Sequence, residues 1–283
     1  EITTRLVGSE MCIRDRYNNA TGKLSDYYEG YRIGDIWGYN IEGLFTSYDE
    51  IANHADQDYI KVSDSKIWQP GDLKFADLNG DGKIDKGAQT LSDHGDLVIV
   101  GNEEERYHYG FNLNVGWKGI GISAFFQGVG KRDWYPGQET GFFWGKYNRP
   151  YGYSLKMHEN RWTEENPNPN AYWPRLVGYS SENGGRPMGT PNNRYMQDAS
   201  YLRLKALTVD YSLPQAWVSK LGLTGLKIYF TGENLFTFSN VCENFDPEVI
   251  KGGDVDLKDR KGEEQGYSYP MLKTYTVGLN VSF

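Results

Sequence analysis

Residues 275–283 read YTVGLNVSF, and the way they alternate decides the fold. Tyr275, Val277, Leu279, Val281 and Phe283 hold the odd positions, with Thr276, Gly278, Asn280 and Ser282 between them. A strand turns successive side chains to opposite faces, so this segment carries one apolar face and one small, polar face. The pattern recurs upstream, where Tyr107, Tyr109, Phe111, Leu113, Val115 and Trp117 alternate with His108, Gly110, Asn112, Asn114 and Gly116. That run is long enough to cross a bilayer as a strand. Lys118-Gly119 predicts a tight turn, after which Ile120, Ile122, Ala124 and Phe126 continue a second strand, interrupted in polarity by Phe125 and Val129.

Residues 201–211 (YLRLKALTVDY) predict a third strand whose apolar set moves from Leu202 and Leu204 to Leu207, Val209 and Tyr211. A bulge near Ala206 accounts for the slip. Pro214–Leu221 reads as a short helical turn and Leu226–Phe238 as a fourth strand. The connections run short, long (131–200), short, long (240–270). Outer-membrane barrels keep short turns on one side and long loops on the other, with an apolar face to lipid and a polar face to the lumen. The expectation is therefore all-β: an antiparallel transmembrane β-barrel segment with long extracellular loops. Within 17–106 the sequence predicts one or two irregular strands and a short helix near Tyr48–His54 capped by Ser47.

Composition agrees. Of 283 residues, 15% are aromatic and 34 are glycine, with only 38% hydrophobic, a balance that favours β structure with long loops. No apolar run approaches the roughly 18 residues a spanning helix needs, so any membrane crossing is by strands. A net charge of −8 excludes nucleic acid as a partner class. Two cysteines, Cys12 and Cys242, make no disulfide framework. Residues 1–16 (EITTRLVGSEMCIRDR) resemble a translated sequencing-adapter artefact and are expected to be foreign or disordered.

The sharpest chemical motif is Asp77-Leu-Asn79-Gly-Asp81-Gly82-Lys83-Ile84-Asp85, the first nine positions of a Ca²⁺ loop. Oxygens two residues apart converge on one ion, Lys83 offers its carbonyl, and Gly82 permits the turn. The twelfth position, normally a bidentate Glu, is Ala88, so Asp96 (or Asp93) would have to supply the last carboxylate. The expected cofactor is a structural Ca²⁺ on Asp77, Asn79, Asp81, Lys83, Asp85 and Asp96; a metal-free Asx-rich turn is the other reading. Neither flank has helical periodicity, which excludes an EF-hand sensor. His54, His94, His108 and His158 show no metal spacing and no nucleophile partner, and no carboxylate pair marks a glycosidase. The chain is expected not to be an enzyme. Arg203 and Lys205 are expected to line a wet lumen, and Asp246-Pro247-Glu248 to form an Asx-bonded turn.

The pieces GYNIEGLF, GDLKFADLNGDGKID, GFNLNVGWKGIGISAFFQGVGKRDWY, YLRLKALTVDYSLP and YPMLKTYTVGLNVSF together resemble, in order over residues 17–283, the C-terminal part of SusC-like (RagA-type) TonB-dependent transporters of Bacteroidetes. The Gly278-x-x-Val281-x-Phe283 ending resembles the strand signal read by the barrel assembly machinery. The resemblance implies the last five to six strands of about twenty-two, in a barrel with a lumen plug. It also implies an outer-membrane location, import energised by TonB, a SusD-like lipoprotein over the mouth, and an oligosaccharide or peptide cargo. Trp134, Trp144, Trp162 and Trp173 are candidates to face substrate or partner, since rings stack on sugar C–H faces; the other reading is that they pack the loops internally or against the lid protein. The competing class is a soluble, calcium-stabilised β-sandwich adhesin or carbohydrate-binding module. It requires Tyr109 and Leu279 to be packed inside a closed core. Expected segments are 1–16, 17–106 as a loop region holding the Ca²⁺-loop-like motif, and 107–283 as barrel strands.

Overall fold

The computed structural model describes residues 22–24, 28, 31–60, 67–137, 140–147, 152–176, 188–250 and 269–283. The chain divides into two compact units. One takes the described residues up to Glu104 and those of 133–197; the other takes Glu105–Arg132, Asp198–Ile250 and the described residues 269–283.

The first unit is mostly irregular. Strands β1 (Asp35–Gly38) and β4 (Val98–Asn102) pair antiparallel, as do β2 (Ile41–Leu44) and β3 (Leu73–Phe75). Helix α1 (Tyr48–Ala52) starts where expected, with Ser47 Oγ accepting from the Glu50 amide at 3.2 Å. Its centre is aromatic rather than aliphatic. Phe143, Trp144, Tyr147, Trp173 and Tyr195 are all buried, with Trp173 stacked on Tyr147 and on Tyr195 at ring-centroid distances of 5.2 Å. Helix α2 (Gly141–Trp144) brings Phe143 and Trp144 into this cluster.

The second unit is one antiparallel sheet. Its strands β5 (Arg106–Trp117), β6 (Ile120–Lys131), β7 (Tyr201–Ser212), β8 (Gly225–Ser239) and β9 (Thr274–Ser282) lie side by side in chain order. Each strand pairs with the next even where residues 132–200 intervene, as in an up-and-down barrel. Lys118 and Gly119 turn β5 into β6 with both φ angles positive, the twist of a two-residue hairpin turn. The short β7–β8 connection holds helix α3 (Gln215–Val218) and one 3₁₀ turn (Ser219–Leu221), matching the helical turn read from the sequence.

The expected register slip is present. Phe125 pairs with Ala206 and Phe126 with Leu204, which leaves Lys205 unmatched. On the next strand Glu233 pairs with Ala206 and Phe236 with Leu204, so Asn234, in the left-handed region at φ +52°, and Leu235 bulge opposite it. Freed by that bulge, Leu235 folds over Gly232 and packs with Ala124 and Leu204, the small apolar cluster of this sheet.

Candidate functional site

Register turns the strand alternation into continuous stripes. Val115, Ile122, Val209, Phe230 and Val277 face one another across all five strands. Below them run Trp117, Ile120, Tyr211, Ile228 and Leu279, and above them Leu113, Ala124, Leu207, Gly232 and Tyr275. Cross-strand pairs such as stacked Phe111–Phe126, at 4.7 Å between centroids, contribute about 0.2–1 kcal/mol each. Yet among the described residues no layer covers most of them: Leu113 is 54%, Val277 75% and Leu279 65% exposed. Tyr109, whose hydroxyl donates to the Tyr201 carbonyl at 3.0 Å, is exposed as well. An apolar face spanning five strands is far larger than a water-soluble monomer leaves open. The closed soluble core required by the adhesin reading is not formed by this sheet.

The opposite face is hydrophilic. Asn114, Ser123, Thr208, Thr231 and Thr276 share a row, in which Ser123 Oγ donates to Asn114 Oδ1 at 2.6 Å and the Thr208 and Thr231 hydroxyls lie 2.9 Å apart. The adjacent row holds Asp210, bridged to Lys227 Nζ at 2.9 Å, and ends at Tyr229 opposite Gly278. The Tyr229 ring lies over Gly278, in the space a Cβ there would fill. Gly278 of the expected assembly signal thus has a packing role of its own. Val281, on the apolar side of β9, is 40% exposed, and Phe283, just past the strand, 91%.

Arg203 and Lys205 do not simply line a wet surface, as the sequence suggested. Arg203 is buried, donating to Thr237 Oγ1 at 2.8 Å, Glu248 Oε2 at 2.6 Å and Asp246 Oδ1 at 2.5 Å. Lys205 Nζ, carried by the bulge, meets Glu248 Oε1 at 2.6 Å. Arg132 adds bonds to Glu105 and to the Pro247 and Ile250 carbonyls. The Asp246-Pro247-Glu248 segment is the turn expected, with the Glu248 amide on Asp246 Oδ1 at 3.0 Å, but it is also clamped onto the sheet. Asp246 Oδ2 further accepts the Met271 amide, fixing the approach to β9. Breaking one side of such a buried network typically costs about 3–5 kcal/mol, because the other charges stay buried. Nothing in the sequence joins positions 203 and 246; only the sheet does.

The calcium-loop motif folds on itself. Asp77 accepts the Gly80 and Gly82 amides at 2.7 and 2.9 Å, and Asp81 accepts the Lys83 amide at 2.8 Å and the Asn79 side-chain amide at 3.2 Å. Asp96 is fully buried, and its carboxylate takes the Leu78 and Asp85 amides at 2.7 and 2.9 Å. Asp85 turns to the Gly87 amide, and Ile84 is tucked inward as expected. Among the described residues no three His, Cys, Asp or Glu side chains converge so as to hold a metal ion. The carboxylates of Asp77, Asp81, Asp85 and Asp96 are each turned to amides of the loop itself. The buried Asp96 carboxylate, surrounded by amides, organises the loop.

All four tryptophans offered as candidates to face a ligand are packed inside the first unit, the other of the two sequence readings. Trp134, Trp144 and Trp173 have no exposed surface, and Trp162 is buried over Gly71, whose φ of +89° and missing side chain admit the ring. Trp144 Nε1 donates to the Gly137 carbonyl and Trp173 Nε1 to the Met157 carbonyl, both at 2.9 Å. The physical cause is composition: a segment with few aliphatic residues builds its core from rings. His158 belongs to that core, Nε2 facing the Phe143 carbonyl at 2.8 Å and Nδ1 accepting the Leu155 amide at 3.0 Å. Burial holds its pKa below the usual histidine value, against the pull of the Phe143 carbonyl, so it stays neutral and structural.

No protein-family model matches the chain. TonB-dependent receptor P26 of Formosa agariphila is 31% identical over 247 residues, 85% of this chain and 22% of the relative. TonB-dependent receptor P3 of the same organism is 28% identical over 257 residues, 90% of this chain and 22% of the relative. The chain thus spans about a fifth of the length of these relatives. Among solved structures, the RagAB peptide transporter matches 94% of this chain and 24% of its own, with a TM-score of 0.53 and 20% identity. The RagAB peptide importer in its open-open state gives 0.52 and 19% over the same shares. These are receptors and transporters rather than enzymes, and the shared fold is that of a barrel wall. In sequence this chain is similar to a stretch of the TonB-dependent receptors, and in fold to part of the RagAB transporter.

Proposed function

We propose that the five-stranded sheet is part of the outer-membrane barrel wall of an importer for large nutrients, energised through TonB and covered by a SusD-like lipoprotein. The supporting observation is the sheet's division into an uncovered apolar face and a hydrogen-bonded polar face, in register across every strand. Lipid meets the first and the wet lumen the second. Five strands leave two open edges, which cannot stand in lipid, so the wall is completed by further strands of the receptor. The Gly278, Val281 and Phe283 positions serve insertion by the assembly machinery.

Cargo recognition is not assigned to the loop tryptophans, because Trp134, Trp144, Trp162 and Trp173 are packed away. That removes the residue-level argument for sugar stacking and leaves oligosaccharides and oligopeptides to be separated by experiment. The receptor containing this segment, isolated from outer membranes, is expected to co-purify with a SusD-like lipoprotein and to retain cargo identifiable by native mass spectrometry. Uptake of that cargo is expected to stop when TonB is removed. Recovery of the receptor from the soluble fraction, or uptake indifferent to TonB, contradicts the proposal.

A further inference from the structure

One end of the sheet carries apolar surface that the strand faces do not explain. The Lys118-Gly119 turn, the 213–224 connection and Phe283 meet there: Ser212 donates its amide to the Gly119 carbonyl, Thr224 its amide to the Ser282 carbonyl, and Thr224 Oγ1 to the Phe283 carbonyl. Within the connection, Val218 is buried and accepts the Leu223 amide, which pins the helical turn. Trp217 and Leu221, one turn apart, are nonetheless 60% and 66% exposed. A soluble turn of this length has no reason to hold a tryptophan and a leucine outward together.

The surroundings identify the occupant. The turn continues the apolar stripe Trp117, Ile120, Tyr211, Ile228 and Leu279, and the Leu213 amide extends the ladder to Leu226, paired in turn with Val281 on the apolar side. The charges of residues 117–120 and 213–224 are Lys118 and Lys220, with no acidic residue among them. Lys118 Nζ lies 4.8 Å from the Trp117 ring centroid, the arrangement of a lysine whose stem covers apolar surface while its head stays wet. An apolar pair rimmed by lysines and continuous with a lipid-facing wall matches the phospholipid headgroup layer, where tryptophan is favoured.

We infer that the Gln215–Leu221 turn is an interfacial anchor, seating Trp217 and Leu221 among the phospholipid headgroups at the short-turn rim of the barrel, with Lys118 and Lys220 toward phosphate. The inference rests on the barrel-wall reading and extends it to a segment outside the sheet. It predicts that this rim is held at a fixed depth by a helical turn as well as by strand aromatics.

The test uses the complete receptor in phospholipid bilayers, with nitroxide labels at Leu221→Cys and, separately, Leu279→Cys, in a background without other reactive cysteines. Collision with oxygen and with a water-soluble nickel complex reports depth. The Leu279 label is expected in the acyl region; if it is not, the wall reading itself fails. With Leu279 in the acyl region, the Leu221 label is expected at headgroup depth, and Trp217→Ser is expected to move it outward into water. A Leu221 label as open to nickel as a loop site overturns the anchor. So does a label shielded from both reagents, which means a protein partner covers the turn, and so does a depth unchanged by Trp217→Ser.

Discussion

The two units of this chain handle aromatic and aliphatic side chains in opposite ways. In the first, Trp144, Tyr147, Trp173 and Tyr195 are packed together and their polar atoms find backbone partners. In the second, Phe111, Leu113, Val115, Val277 and Leu279 stand uncovered while the polar side chains bond to one another. On the barrel-wall proposal, one region is folded for water outside and the other for lipid on one side. The lesson is that burial is defined by the solvent, so a continuous uncovered apolar face is out of place in one region and a contact surface in the other.

Substitutions that treat the two regions alike should therefore have unlike effects. Trp173→Ala should have the largest effect, about 3–5 kcal/mol, since it empties the centre of the ring cluster. Chemical unfolding followed by tryptophan emission measures it, and a loss under 1 kcal/mol would deny the cluster a core role. Val277→Ala, which shortens a side chain with lipid beside it, should be nearly neutral in bilayers, whereas Val277→Arg should cost about 2–4 kcal/mol at mid-depth. Unfolding titrations of the receptor in vesicles separate the two, and equal tolerance of arginine and alanine would break the comparison.

Gly278→Ala tests the polar face. The new methyl displaces the Tyr229 ring and should cost about 1–3 kcal/mol, and Tyr229→Ala should make Gly278→Ala nearly silent. Additive losses would show that the glycine matters for another reason. The smallest expected effect is one of pH. His158 is held below its ordinary pKa by burial, so on acidification the unfolded chain takes up this proton before the folded one does. Its contribution is complete above the usual histidine value of about 6.5 and declines as pH falls through it. Thermal unfolding of the wild-type receptor should weaken with acid more than that of His158→Gln; parallel profiles would remove His158 from the account.

Most of the sheet was legible because its strands are long and largely alternating, and the slip at Leu204–Leu207 announced the bulge at Lys205. The helical turn at 215–221 and the Ser47 cap followed from local chemistry. The contacts of Arg203 with Asp246 and Glu248 were not legible, since they depend on where a distant loop returns. Nor were the fates of the tryptophans: composition puts rings in loops but does not say whether they point in or out. The Asp77–Asp85 motif shows a third limit. Its spacing specifies a tight polar loop, and the position of Asp96, bonded to the Leu78 and Asp85 amides, decides what closes that loop.

The central claim is that lipid wets one face of the sheet and water the other. Single cysteines placed along 275–283 in the membrane-inserted receptor, probed with a membrane-impermeant maleimide, test it directly. Thr276 and Asn280 should be modified, while Val277, Leu279 and Val281 are protected until the bilayer is dissolved. Equal modification of both sets in intact membranes would contradict the account.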